Sequence, residues 1–295
     1  MLLRSYILFL VALILNISNG IAFDGTHQPT LEDINRAIAV NPASADAYYN
    51  RAILFVKQGD YAQAIADFTQ TIKLNPKDVD AFYNRGNAYA NLNYLNQALA
   101  DFNKVIELDP QDDTVYYNRG LTYANLGNTV AAISDFNQAI LINPMYAESY
   151  HNRGLTWGKV GNINQAIADL SKAISIDPKM AEAYYNRGIL YGKQGKLLDA
   201  INDFSKAIQL KPDYAEAYTN RGNIYVQQDE FDQARFDFTV AIELNPELAQ
   251  AFNNRAIVYY QIKEYNKALD DLKRAETLGY AVSPTMKAMI LKEIK

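Results

Sequence analysis

The chain has 295 residues, enough to bury a sizeable core as one or two domains. Aliphatic and aromatic side chains make up 49 %, which excludes a disordered chain. A formal charge of −5, from 28 basic and 33 acidic residues with no long run of one sign, argues against a general nucleic-acid binder, and the absence of Cys excludes disulfides, thiolate zinc sites and a cysteine nucleophile.

In residues 1–22, Arg4 precedes an apolar run from Tyr6 to Ile17 broken only by Asn16. Ser18-Asn19-Gly20-Ile21-Ala22 then offers small residues at cleavage spacing. This is the three-part form of a secretory signal peptide. The run is short for a bilayer span. A cleaved signal is therefore expected, with a retained N-terminal membrane anchor as the alternative. No Asn-x-Ser/Thr sequon lies outside this segment, which suits a bacterial periplasmic or secreted protein.

From there a period governs the chain. Pro42, Pro76, Pro110, Pro144, Pro178, Pro212 and Pro246 stand 34 residues apart, and each closes an apolar-periodic stretch such as "QAIADFTQTIKLNP". Proline disfavours helix at the residue before it. A weaker break, suited to the left-handed backbone, falls mid-period at Gly59, Asn93, Gly127, Gly161, Gly195 and Asp229. Each period therefore predicts two helices. Small residues such as Gly86 and Gly188 in the first, and Ala98 and Ala200 in the second, predict close backbone approach, with Phe68, Phe102, Phe136, Leu170, Phe204, Phe238 and Leu272 beside the crossing.

Every repeat has an aromatic in its fourth and eleventh places, Ala in the twentieth and a large apolar residue in the twenty-fourth; all but the last have Pro in the thirty-second. The pattern resembles the tetratricopeptide repeat family over 45–78, 79–112, 113–146, 147–180, 181–214, 215–248 and 249–282. Residues 23–44 read as a linker with an N-terminal capping half-repeat, and 283–295 as a C-terminal capping helix, since an uncapped solenoid exposes its core. The resemblance implies an all-α fold, a right-handed superhelical solenoid of antiparallel helix pairs with the first helices lining a concave groove.

One place departs from the family. Where Leu is common, all seven repeats carry Arg: Arg51, Arg85, Arg119, Arg153, Arg187, Arg221 and Arg255. Sixteen residues on stands Asp67, Asp101, Asp135, Asp169, Asp203, Asp237 or Asp271. Their co-occurrence predicts a structural bridge from first to second helix rather than an anion site.

Asn50, Asn84, Asn118, Asn152, Asn186, Asn220 and Asn254 precede those arginines. At roughly 100° per residue they fall opposite the face of Tyr184, Gly188 and Tyr191, towards the groove. Two roles stand open: hydrogen bonds between neighbouring first helices, or a ladder of amides for an extended peptide, as the family resemblance implies. Along the same face runs an acidic or polar rim (Asp46, Asp80, Thr114, Glu148, Glu182, Glu216, Gln250), readable equally as helix-start charge. Next comes a largely apolar row (Ile53, Asn87, Leu121, Leu155, Ile189, Asn223, Ile257), expected to be exposed, then a basic or amide row (Lys57, Asn91, Asn125, Lys159, Lys193, Gln227, Gln261). Tyr49, Tyr83, Tyr117 and Tyr185 flank the groove, while Tyr48, Tyr116, Tyr150, Tyr184 and Tyr218, with Tyr89, Tyr123, Tyr191, Tyr225, Tyr259 and Trp157, read as core. His151 reads as a packing substitute for Tyr.

Only His27 and His151 exist, no phosphate-cradling Gly loop occurs, and the repeats leave no segment for a catalytic domain. No enzymatic activity, cofactor, metal, nucleic acid or small-molecule substrate is expected. The expected role is an exported scaffold that binds a protein or peptide segment. The alternatives are a self-assembling structural protein, hence a possible homo-oligomer, and an adaptor docking an envelope enzyme or secretion machinery.

Overall fold

The computed structural model describes residues 29–294. The signal-peptide reading of 1–22 lies outside the described residues, as do 23–28 of the linker. The described residues form sixteen helices and no strand. In chain order they are α1 Leu31–Val40, α2 Ala45–Gln58, α3 Tyr61–Leu74, α4 Val79–Asn91, α5 Leu95–Leu108, α6 Asp113–Asn125, α7 Thr129–Ile142 and α8 Ala147–Lys159. There follow α9 Ile163–Ile176, α10 Ala181–Lys193, α11 Leu197–Leu210, α12 Ala215–Gln227, α13 Phe231–Leu244, α14 Ala249–Gln261, α15 Tyr265–Thr277 and α16 Pro284–Glu293. None is long and apolar enough to cross a membrane.

The turns follow from single side chains. Asn41, Asn75, Asp109, Asn143, Asp177 and Asn245 each accept the backbone N–H two residues on, over 2.9–3.4 Å, across the intervening proline. This Asx turn is why a short amide or carboxylate precedes Pro. The mid-repeat turn is left-handed in all seven repeats, and its seventh member is Lys263 at φ 63°, which composition did not mark. Lys lacks the freedom that suits Gly to that region, so this turn carries local strain.

The chain forms two compact units, one running to Leu126 and one from Gly127. Within each, successive helices pack on one another in sequence. First helices of successive repeats also touch: α4 with α6 in the first unit, and α8 with α10, α10 with α12 and α12 with α14 in the second. Second helices make no comparable contact with one another. The first helices therefore lie on the inner side of each unit's bend.

Close crossing explains the small residues. A Cβ on Gly188 would stand 2.9 Å from Phe204 Cε1, closer than carbon atoms pack. In the second unit, α16 buries Ile290 against Ala256, Ala268 and Leu272, closing the last apolar face.

Candidate binding groove

The arginine row is the frame on which the inner face is built. Arg51, Arg85, Arg153, Arg187, Arg221 and Arg255 each donate Nε and Nη2 to Asp67, Asp101, Asp169, Asp203, Asp237 and Asp271 over 2.7–2.9 Å. Arg119 and Asp135 fall in different units, and Asp135 is buried. A second contact was not foreseen. In all seven repeats Nη1 donates backwards, to Asn35, Thr69, Asn103, Asn137, Ser171, Ser205 or Thr239, over 2.6–3.1 Å. Each of these lies on the helix preceding the hairpin, so one guanidinium ties three helices. The available signal was a short hydroxyl or amide side chain sixteen residues before every Arg.

The tyrosines read as core are half-buried instead, because they cover this guanidinium. Arg187 lies 5.7 Å from the Tyr184 ring centre and 5.6 Å from that of Tyr191. Tyr116 with Tyr123, and Tyr218 with Tyr225, flank Arg119 and Arg221 in the same way. Such stacking favours a planar cation. The Asp203 bond raises the Arg187 pKa further, against the opposing effect of burial. Burial pushes the Asp237 carboxyl up, and Arg221 only partly offsets it.

The Asn row lies above this frame, half-buried. Asn84, Asn118 and Asn220 donate Nδ2 to the hydroxyls of Tyr49, Tyr83 and Tyr185, one repeat earlier, over 2.7–3.0 Å. Asn186 makes the same reach to His151 Nε2 at 3.3 Å, and Asn254, facing Thr219 in the tyrosine place, turns to Asn223 Oδ1 at 2.7 Å. The Tyr rings lean edge-on or tilted against the core; Tyr49 and Phe68 have centroids 5.6 Å apart, and Tyr185 and Phe204 6.0 Å. Asn84, Asn152 and Asn186 also donate Nδ2 to the backbone carbonyls of Asp80, Glu148 and Glu182 over 2.7–2.9 Å. A carbonyl can only accept, so those amides have one possible orientation. Asn50 is half-buried on α2.

The expected exposed Ile and Leu row is half-buried. Ile53 packs against the first unit's core and Ile189 against the second's, because neighbouring first helices close over them. Leu121 and Leu155 are likewise half-buried. Glu148, Glu182 and Glu216 are exposed at one edge of the second unit's inner face, and Lys159 and Lys193 at the other. Burial lowers the His151 pKa, with Glu182 and Glu148 pulling it back, so the neutral ring accepts from Asn186. Tyr214 was not singled out from sequence. Its ring packs tilted against Tyr185 with centroids 4.6 Å apart, and Lys211 Nζ sits 4.7 Å from its ring centre and 4.0 Å from Glu182 Oε1. Burial raises the Tyr214 phenol, reinforced by Tyr185, Glu182 and Glu216.

Among the described residues no group of three or more His, Asp or Glu side chains is arranged to hold a metal ion. What the inner face offers chemically is oriented amides, phenol rings and edge charges.

Models of the tetratricopeptide repeat match residues 49–113, 114–146 and 215–248, and a TPR repeat model matches 159–195 and 193–229. No curated protein matches. Among solved structures, MamA is 28 % identical with a TM-score of 0.52, covering 56 % of this chain and 96 % of its own. YrrB, described as a TPR protein with an unusual peptide-binding site, is 24 % identical with a TM-score of 0.53, covering 64 % of this chain and 97 % of its own. PilF of Pseudomonas aeruginosa is 16 % identical with a TM-score of 0.64, covering 74 % of this chain and 100 % of its own. The last two likenesses concern the fold alone.

Proposed function

Since the chain belongs to the tetratricopeptide repeat family, we propose that it is a non-catalytic scaffold for protein contacts, holding a polypeptide segment along its first helices. The carrying observation is the inner face itself: fixed amides, half-buried Leu155 and Ile189, and charged edges in register from repeat to repeat. Extended polypeptides match such a surface because they too repeat polar backbone and apolar side chains. An extracytoplasmic location belongs to the same reading, supported by Arg4 and the apolar run after it.

The test is partner capture from an envelope extract with the full chain and with Leu155→Asn plus Ile189→Asn. Asn87 and Asn223 occupy the same place in other repeats, so the fold accommodates Asn there. Loss of partners from a variant with unchanged melting supports the reading. Partners retained would move the binding surface to the second helices or the ends. A second reading, end-to-end self-association, is favoured by Met289, Leu291 and Ile294, 38–43 % exposed on or just after the last helix. Mass that rises with concentration, and stops rising in Leu291→Lys, would mark it.

A further inference from the structure

We propose that the segment taken by the second unit's inner face is basic: an extended polypeptide whose Lys or Arg side chains reach the edge formed by Glu148, Glu182 and Glu216. This rests on the groove reading above. Three observations converge on it. The first is amide orientation. Asn186 commits its Nδ2 to the Glu182 carbonyl and to His151, so its Oδ1 is what remains to face a ligand. That oxygen accepts no hydrogen bond among the described residues and is not sealed from solvent. An open acceptor calls for donors, which backbone N–H groups and cationic side chains supply.

The second observation is charge. Three exposed glutamates recur at one place of three successive first helices. Their fields overlap in pairs: Glu182 and Glu148 both raise the His151 pKa against burial, and Glu182 and Glu216 both add to the raised Tyr214 phenol. Lys193 stands eleven residues further along the same helix from Glu182, about 16 Å at helical rise. That exceeds the screening length of about 8 Å at physiological salt, so the edges act separately.

The third observation is a cation already seated there. Lys211 lies over the Tyr214 ring and beside Glu182, and the Tyr185 ring packs tilted against Tyr214. Lys211 also breaks the Asx-turn rule, standing where other repeats place Asn or Asp before Pro. An ammonium from this chain thus shows what the corner accepts: a cation on a phenol face, flanked by carboxylate. A ligand cation would displace it.

The test is selection of a random dodecapeptide display library on the full chain. Recovered sequences should be enriched in Lys and Arg over Asp and Glu. The best recovered peptide, measured by fluorescence anisotropy, should bind about tenfold more weakly to Glu182→Gln with Glu216→Gln, and more weakly as salt rises. Lys211→Met should bind it severalfold more tightly, since the internal competitor is gone. Both glutamates are exposed, and unchanged melting of the variants would separate binding from folding. Peptides that are acidic or neutral, or affinity indifferent to the glutamates, would overturn the basic partner while leaving the groove reading standing. Recovery of no peptide dependent on Leu155 and Ile189 would sink both.

Discussion

Removing the cation of one Arg–Asp bridge should cost more than removing both charges. In Arg187→Leu, Asp203 loses two bonds of 2.8 Å and is left 5 % exposed with no counter-charge. An uncompensated buried charge costs about 3–5 kcal/mol. In Arg187→Leu with Asp203→Asn, no charge remains and the leftover amide is nearly the same shape, so the loss should fall by about 1–2 kcal/mol. Ser171 loses its donor in both variants, so its contribution cancels. Asp203→Asn alone completes the cycle, and the coupling should lie within about 0.5–3 kcal/mol. Urea unfolding followed by helix content reads these differences, with the m-value showing whether the array still melts as one. A double variant whose loss equals the sum of the singles would refute the bridge as the reason Arg and Asp recur together.

His151→Tyr should change the acid limb of stability. Burial holds the folded His151 pKa below its ordinary 6.5, so the His contribution is complete above that pH and declines as pH falls through the folded value. The variant, which restores the phenol found at Tyr117 and Tyr185, should show a flatter Tm between neutral pH and about pH 5; an unchanged slope would count against the buried neutral ring. Lys263→Gly should stabilise by about 0.5–1 kcal/mol, since the left-handed turn costs a side chain more than it costs glycine, read as a rise in urea midpoint. Gly188→Ala should destabilise by about 1–3 kcal/mol through overpacking on Phe204, and a neutral result would mean the ring shifts freely.

The helix pairs and the Phe row were legible because a 34-residue period repeats every constraint seven times. The pairing of Arg187 with Asp203 was legible for the same reason. The backward bond to Ser171 was not, because Asn, Thr and Ser share the place and no single residue type recurs. The Asn row was only half legible. Helical phase placed Asn220 on the inner face, but its bond to Tyr185 spans 35 residues and depends on how hairpins stack. The apolar row was misjudged as exposed because helix phase describes one helix, whereas Ile189 is covered by its neighbours. Lys263 was missed because backbone handedness there is imposed by the turn's place in the repeat and opposed by its residue.

The backward reach of each arginine has a consequence for how the array keeps its order. Each of the first six hairpins carries both a plug, its guanidinium, and a socket, its Ser, Thr or Asn, for the next, whereas the seventh has Lys273 at the socket place. Among those six the parts are chemically interchangeable, so duplication or deletion of one whole period would leave every plug with a socket. The same interchangeability gives a folding hairpin no chemical means of telling its neighbour from a more distant copy. Irregular places supply that identity: His151 where others have Tyr, Thr219 opposite Asn254, and Lys211 before its proline. These deviations lie next to the inner face, so the residues that label each hairpin's position also make the surface differ along its length.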